Sequence, residues 1–192
     1  QHGLLGKQNL YEHSIRVPLI MAGPGIPVNK KNNGFTYLSD INPTIYEYLN
    51  IQKPASVEAL SLMPSIKNPG ANIRTQMYNV YGHWSRSIKT SDGFKLIVYN
   101  VKGVLTTQLF DLNKDPYEIN NLAADPAMQT KITSMREALK KEMLDKHDNK
   151  VSQFDMKVLE KLGLIKFDFL SLILKLLGFI LALFVENLNF LI

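Results

Sequence analysis

Met77-Tyr-Asn-Val-Tyr81, Ile88-Lys-Thr-Ser-Asp-Gly-Phe-Lys-Leu-Ile-Val-Tyr99 and Leu105-Thr-Thr-Gln-Leu-Phe-Asp-Leu112 are the stretches that decide the fold. They are rich in β-branched and aromatic residues, which suit a pleated, half-buried surface. Ser91-Asp92-Gly93 interrupts the second stretch, and Asn100-Val101-Lys102-Gly103 separates it from the third. Both are tight-turn chemistry, so residues 77–112 are expected to form an antiparallel meander. Asp111-Leu-Asn-Lys-Asp-Pro116 then ends the sheet. Asp125-Pro126 starts a helix, with a capping carboxylate ahead of a proline in the first turn. Met128, Ile132, Met135, Leu139 and Met143 recur at helical spacing on an otherwise charged segment. One such apolar stripe should pack on the meander.

Working back toward the start, Val17-Pro-Leu-Ile-Met-Ala22 is a short continuous apolar run closed by Gly23-Pro24-Gly25. A strand buried on both faces of a parallel sheet reads this way. The lone Gly-x-Gly is a strand-end turn rather than a phosphate cradle. Residues 29–34 are a polar loop. A helix is expected from Ser39-Asp40, with Ile41, Ile45, Tyr48 and Leu49 on its apolar side and Pro43 tolerated in the first turn. Residues 52–73, with three prolines and little periodicity, read as a long surface loop.

The chain has 192 residues, 22 Lys+Arg against 17 Asp+Glu, 45% hydrophobic residues and no cysteine. This composition excludes a disordered, collagen-like or coiled-coil chain. The missing cysteines exclude a disulfide scaffold, a Cys-based zinc or iron–sulfur site and a cysteine nucleophile within the chain. The basic residues are scattered and not interleaved with aromatics, which argues against nucleic-acid binding. Gln1 at the start, without an apolar leader, reads as the middle of something longer. Residues 169–185 carry one charge, Lys175, in seventeen residues. That length is at the lower edge of a spanning helix, and a central lysine costs about 2.5–3.5 kcal/mol on insertion. A membrane anchor, a helix buried against other polypeptide and a foreign segment are the three readings.

His2-Gly-Leu-Leu-Gly-Lys7-Gln-Asn-Leu-Tyr-Glu12-His-Ser-Ile-Arg16-Val-Pro-Leu-Ile carries the chemistry. It is a glycine-hinged loop presenting one ammonium ahead of a polar turn. Lysine in such a setting is a point charge with three donors, suited to a tetrahedral oxyanion. An ordinary solvated lysine is the plainer reading.

This stretch, with Gly23-Pro-Gly-Ile-Pro27, resembles the later part of a type I sulfatase, a formylglycine-dependent member of the alkaline-phosphatase superfamily. Asp40-Ile-Asn-Pro-Thr-Ile-Tyr-Glu-Tyr-Leu49 continues the resemblance. So do Lys89-Thr-Ser-Asp-Gly-Phe-Lys-Leu-Ile-Val-Tyr99 and Leu109-Phe-Asp-Leu-Asn-Lys-Asp-Pro-Tyr-Glu-Ile-Asn-Asn-Leu-Ala123. The blocks stand in family order over residues 1–147.

The resemblance implies an α/β fold, the C-terminal portion of an alkaline-phosphatase-like sulfatase with a small antiparallel sheet plus helix subdomain. Residues 1–75 would belong to the catalytic α/β domain and 76–150 to the C-terminal subdomain. Residues 151–192 would be an apolar tail. It implies hydrolysis of sulfate esters with a formylglycine nucleophile and a calcium ion. Lys7 matches the sulfate-contacting lysine, and His2 a histidine expected to bond within the loop. Glu12 and Arg16 are expected to form an ion pair. His83, in Gly82-His-Trp-Ser-Arg86, is the candidate substrate-binding residue, and Trp84 either stacks on a sugar or packs in the subdomain.

The departures are as informative. No Cys/Ser-x-Pro-x-Arg nucleophile motif occurs, and no metal-ligand spacing. The chain is therefore expected to be inactive alone. Its partner would be a sulfated small molecule or glycan, with membrane contact possible only through 169–185. The implied setting is periplasmic, extracellular or lysosomal. A phosphate or phosphonate ester hydrolase of the same superfamily and a non-catalytic membrane-associated remnant are the alternatives.

Overall fold

A computed structural model describes residues 2, 3, 6–102 and 104–148. These fall in one unit of the chain, Gln1–Asp148. The apolar run 169–185 lies outside the described residues. Among those described, no helix is long and apolar enough to cross a membrane.

The meander forms as expected. Strands β1 (Gln76–Tyr81), β2 (Ser85–Thr90), β3 (Phe94–Val101) and β4 (Val104–Asp111) pair antiparallel in sequence order. Gly93 closes the β2–β3 turn with a φ of +90°, and a Cβ there would sit 2.3 Å from the Asn113 side chain. Asn113 Nδ2 donates to the Asp92 carbonyl at 2.9 Å, so only glycine lets this clasp close.

Pairing fixes which residues share a face. Lys89 opposes Lys95 and Ser87 opposes Ile97, while Lys95 opposes Phe110 and Ile97 opposes Gln108. These residues line one face. Tyr78, Ile88, Leu96 and Leu109 line the other, by the same two-residue alternation.

Helix α4 (Gln129–Asp145) covers the second face, with Ile132, Met135, Leu139 and Met143 buried. Asp125 Oδ1 accepts from the Ala127 N–H at 2.8 Å and caps a short 3-10 turn ahead of it. The helix is tied at three heights. Arg136 donates to Thr107 at 2.9 Å, Gln76 to Glu142 at 2.7 Å, and Asp148, three residues past the helix end, receives Arg86 at 2.6 Å.

The first face is covered by the head of the chain. Leu10 and Tyr11 lead into α1 (Glu12–Ile15) and pack on Ile97 and Phe110. This is the second half of the core.

The segment between differs from the sequence expectation. Residues 17–22 form neither strand nor helix, and Ile20 is 90% exposed. A strand of this composition is stable only between neighbours that cover both faces, and the described residues supply none. Helix α2 (Ile41–Tyr48) forms where expected but buries Pro43 and Thr44, leaving Ile45, Tyr48 and Leu49 exposed. Between residues 16 and 61 only Asp40, Pro43 and Thr44 are buried. The long loop contains a short helix, α3 (Met63–Lys67). Asp40, fully buried, holds this layer together. It receives both terminal nitrogens of Arg74 and the N–H groups of Tyr37 and Leu60. Tyr37 attaches the layer to β1: its hydroxyl donates to the Tyr78 carbonyl and accepts from the Tyr78 N–H.

Candidate functional site

Lys7 lies on the loop that precedes Leu10 and is exposed, with no hydrogen bond or ion pair to any described residue. The residues around it are anchored. Tyr11 stacks flat on His2 at 3.9 Å, and its hydroxyl donates to Gln108 at 2.8 Å. His2 Nε2 sits 3.1 Å from the Tyr117 carbonyl, so its bond leaves the loop rather than closing within it. Asn9 Oδ1 accepts from the Tyr11 N–H, and Asn9 Nδ2 lies 3.3 Å from His13 Nε2. Burial, with the neighbouring His2, holds the His13 pKa below its ordinary value.

Glu12 does not pair with Arg16. Its carboxylate lies between Lys89 (2.9 Å) and Lys95 (3.1 Å), while Arg16 is exposed. The α1 turn points Glu12 onto the sheet, where two lysines occupy core-facing positions. Lys95 is fully buried and also meets Glu118 at 2.7 Å. Glu118 Oε2 accepts the Glu12 N–H at 2.6 Å. Two ammoniums and two carboxylates thus neutralise one another inside the fold.

Burial raises the Glu12 pKa, but Lys95 and Lys89 outweigh it and hold the carboxyl below its ordinary 4.5. The unfolded chain therefore binds more protons than the folded one below about pH 4.5. Stability contributed by Glu12 is complete above that value and drains as pH falls toward the folded pKa. The expected result is a urea midpoint that falls between pH 6 and pH 3.5, with a shallower fall in Glu12→Gln. Equal slopes would contradict the ion pairing.

His83 is exposed at the tip of the β1–β2 hairpin, edge-on to Trp84 at 4.7 Å. Trp84 is half-buried and packs edge-on against Tyr81 at 5.5 Å, so its ring serves the hairpin first. Gly82 has a φ of +55°, and a Cβ there would stand 3.0 Å from the indole, which keeps the turn tight around it. No contact joins Lys7 to His83 among the described residues.

Sequence reading missed Lys95, Glu118 and Gln108. A signal existed for Lys95 alone: it alternates with Ile97 and Tyr99 on one face of an apolar strand. Glu118 lies in a loop, and only tertiary structure brings it under Glu12.

Four of the acidic side chains of the unit are committed. Asp40 is held by Arg74, Asp148 by Arg86, and Glu12 and Glu118 by lysines. Among the described residues, no group of three or more His, Asp or Glu could hold a metal ion. These residues therefore do not fit a calcium site.

The described unit is thus a four-stranded meander backed by one helix, with Leu10 and Tyr11 just beyond the Gly-Lys element packed on its other face. The family described as "N-sulphoglucosamine sulphohydrolase, C-terminal" matches residues 1–146, and the chain belongs to that family. Arylsulfatase K of Rattus norvegicus is 30% identical over 136 residues, 65% of this chain and 24% of the relative. An arylsulfatase of Clostridium perfringens is 32% identical over 148 residues, 74% of this chain and 30% of the relative.

A solved Bacteroides thetaiotaomicron structure described as a sulfatase superposes with a TM-score of 0.65 and 26% identity, over 75% of this chain and 33% of that one. A second solved structure is of a protein in complex with its substrate D-glucosamine-2-N,6-O-disulfate. It aligns at a TM-score of 0.51 and 24% identity over 57% of this chain and 24% of that one, a likeness of fold. The chain spans about a quarter to a third of the length of these relatives.

Proposed function

We propose that this chain supplies two parts of a larger sulfuric-ester hydrolase: the loop whose Lys7 contacts the sulfate group, and the subdomain whose hairpin tip meets the rest of the substrate. The observation that supports it best is the presentation of Lys7. Its ammonium is unpaired among the described residues, while His2, Tyr11 and Glu12 on either side of it are bonded to Tyr117, Gln108 and Glu118. An ammonium held this way has all three donors free for sulfate oxygens. It stabilises charge that grows on the ester as the S–O bond breaks.

The nucleophile and the calcium ion belong to the complete enzyme. Formylglycine would arise from a Cys or Ser motif that this sequence lacks, and the metal ligands would lie outside the described residues. The apolar side chains left uncovered between residues 16 and 61 are consistent with a layer that packs against further polypeptide. The substrate class is a sulfated small molecule or sulfated glycan, handled in a periplasmic, extracellular or lysosomal setting. The chain by itself is inactive toward sulfate esters.

The test is a pair of substitutions in the complete polypeptide that contains this segment, with the isolated chain as control. Lys7→Ala should lower kcat by about 10²–10³-fold, the loss expected when one oxyanion donor is removed. His83→Ala should raise KM with little change in kcat, because it touches the substrate away from the reacting bond. Activity unchanged by Lys7→Ala would sink the reading and favour a non-catalytic role. Hydrolysis of an aryl sulfate by the isolated chain would equally contradict it.

A further inference from the structure

The two ends of the Lys7 loop are held by two adjacent residues, one at each end. The carbonyl of Tyr117 takes the His2 ring at 3.1 Å, and the carboxylate of Glu118 takes the Glu12 N–H at 2.6 Å. Glu118 is 2% exposed and its other oxygen lies 2.7 Å from the fully buried Lys95. Its φ is +57°, a conformation that residues with a Cβ seldom hold. The turn beneath it is braced: the Glu118 N–H donates to the Asp115 carbonyl at 3.1 Å, and the Asp115 carboxylate accepts the Asn120 N–H at 2.7 Å. Such an arrangement persists only where surrounding contacts over-determine it.

We infer that Glu118, seated on Lys95, is the positioning residue for Lys7, clamping the loop that carries it against the sheet. This rests on the reading of Lys7 as the sulfate contact. Glu118, buried beneath the loop, touches no substrate. It acts by fixing where the loop rejoins the fold at Glu12, next to the Tyr117 carbonyl that takes His2, and with that the reach of the ammonium. Small displacements of such a group are costly in rate, since about 1 Å of misplacement can cost on the order of 10²-fold.

Two measurements test it, and they fail separately. The first is amide hydrogen exchange on the full 192-residue chain. Glu118→Ala should speed exchange in residues 2–12 by about tenfold or more while β3, β4 and α4 keep their protection. Glu118→Gln, whose amide oxygen still accepts the Glu12 N–H, should show a smaller change. Unaltered exchange in residues 2–12 would overturn the clamp. So would protection lost throughout the sheet in both variants.

The second is a double-mutant cycle in the complete polypeptide. Glu118→Ala should lower kcat by about 10–100-fold, and adding it to Lys7→Ala should cost nothing more. If the two losses multiply, Glu118 does not act through Lys7 and the inference falls. If Lys7→Ala alone has no effect, the sulfate-contact reading falls, and the exchange data still report on the clamp.

Discussion

Lys95→Met should destabilise the chain by about 3–5 kcal/mol, the cost of breaking a buried ion pair by removing one partner. Lys95 is fully buried between Glu12 at 3.1 Å and Glu118 at 2.7 Å. Methionine fills much of the same volume, so a cavity contributes little and the loss is electrostatic. Glu118, 2% exposed, would keep only the Glu12 N–H as a partner for its charge. The measurement is the urea midpoint at neutral pH. Adding Glu118→Gln should recover part of the loss, since a neutral amide is far cheaper to bury than an orphaned carboxylate. A single-variant cost below about 1 kcal/mol would place the cluster among the weak surface pairs instead.

Arg86→Ala should cost about as much, again roughly 3–5 kcal/mol. Arg86 is 1% exposed and lies on the helix face of the sheet. Its Nε and one terminal nitrogen meet the two oxygens of Asp148 at 2.6 and 3.2 Å. Its other terminal nitrogen donates to the carbonyls of Gly82 and Ser85 at 3.0 and 2.8 Å. One side chain thus joins the end of α4 to the hairpin tip that presents His83. The Tyr78 hydroxyl also donates to Asp148, and burial together with that carboxylate raises the tyrosine's pKa. Arg86→Lys should rescue little of the stability, because a single ammonium cannot reproduce the planar fork that serves a carboxylate and two carbonyls. The checks are the denaturation midpoint and proteolysis at residues 82–84, which should quicken in the alanine variant. A lysine variant as stable as the parent would show that charge alone suffices there.

Much of the architecture was legible because it is local. The meander follows from turn chemistry at Ser91-Asp92-Gly93 and β-forming residues on either side, and α4 from a cap and a stripe at helical spacing. These signals depend on neighbours within a few residues, so no tertiary information is needed to read them. The stripe was accurate down to Ile132, Met135, Leu139 and Met143, each buried on the sheet. Residues 17–22 and the apolar side of α2 misled for the opposite reason. Their composition describes an environment on both faces, and nothing among the described residues provides it.

The site divides along the same line. That the chain belongs to a sulfatase family, and that Lys7 sits on a glycine-flanked loop, are matters of residue order. What holds that loop was hidden from the sequence. Arg16, four residues from Glu12, was the obvious partner by spacing, yet the carboxylate turns inward to Lys89 and Lys95, 77 and 83 residues away. A buried charge must be neutralised by whatever the packed fold brings within about 3 Å, and chain separation has no bearing on that distance. Sequence by itself therefore determined the meander, α4, the family and the candidate ammonium. Tertiary packing alone decided which charges meet, because in a low-dielectric interior proximity sets the energy.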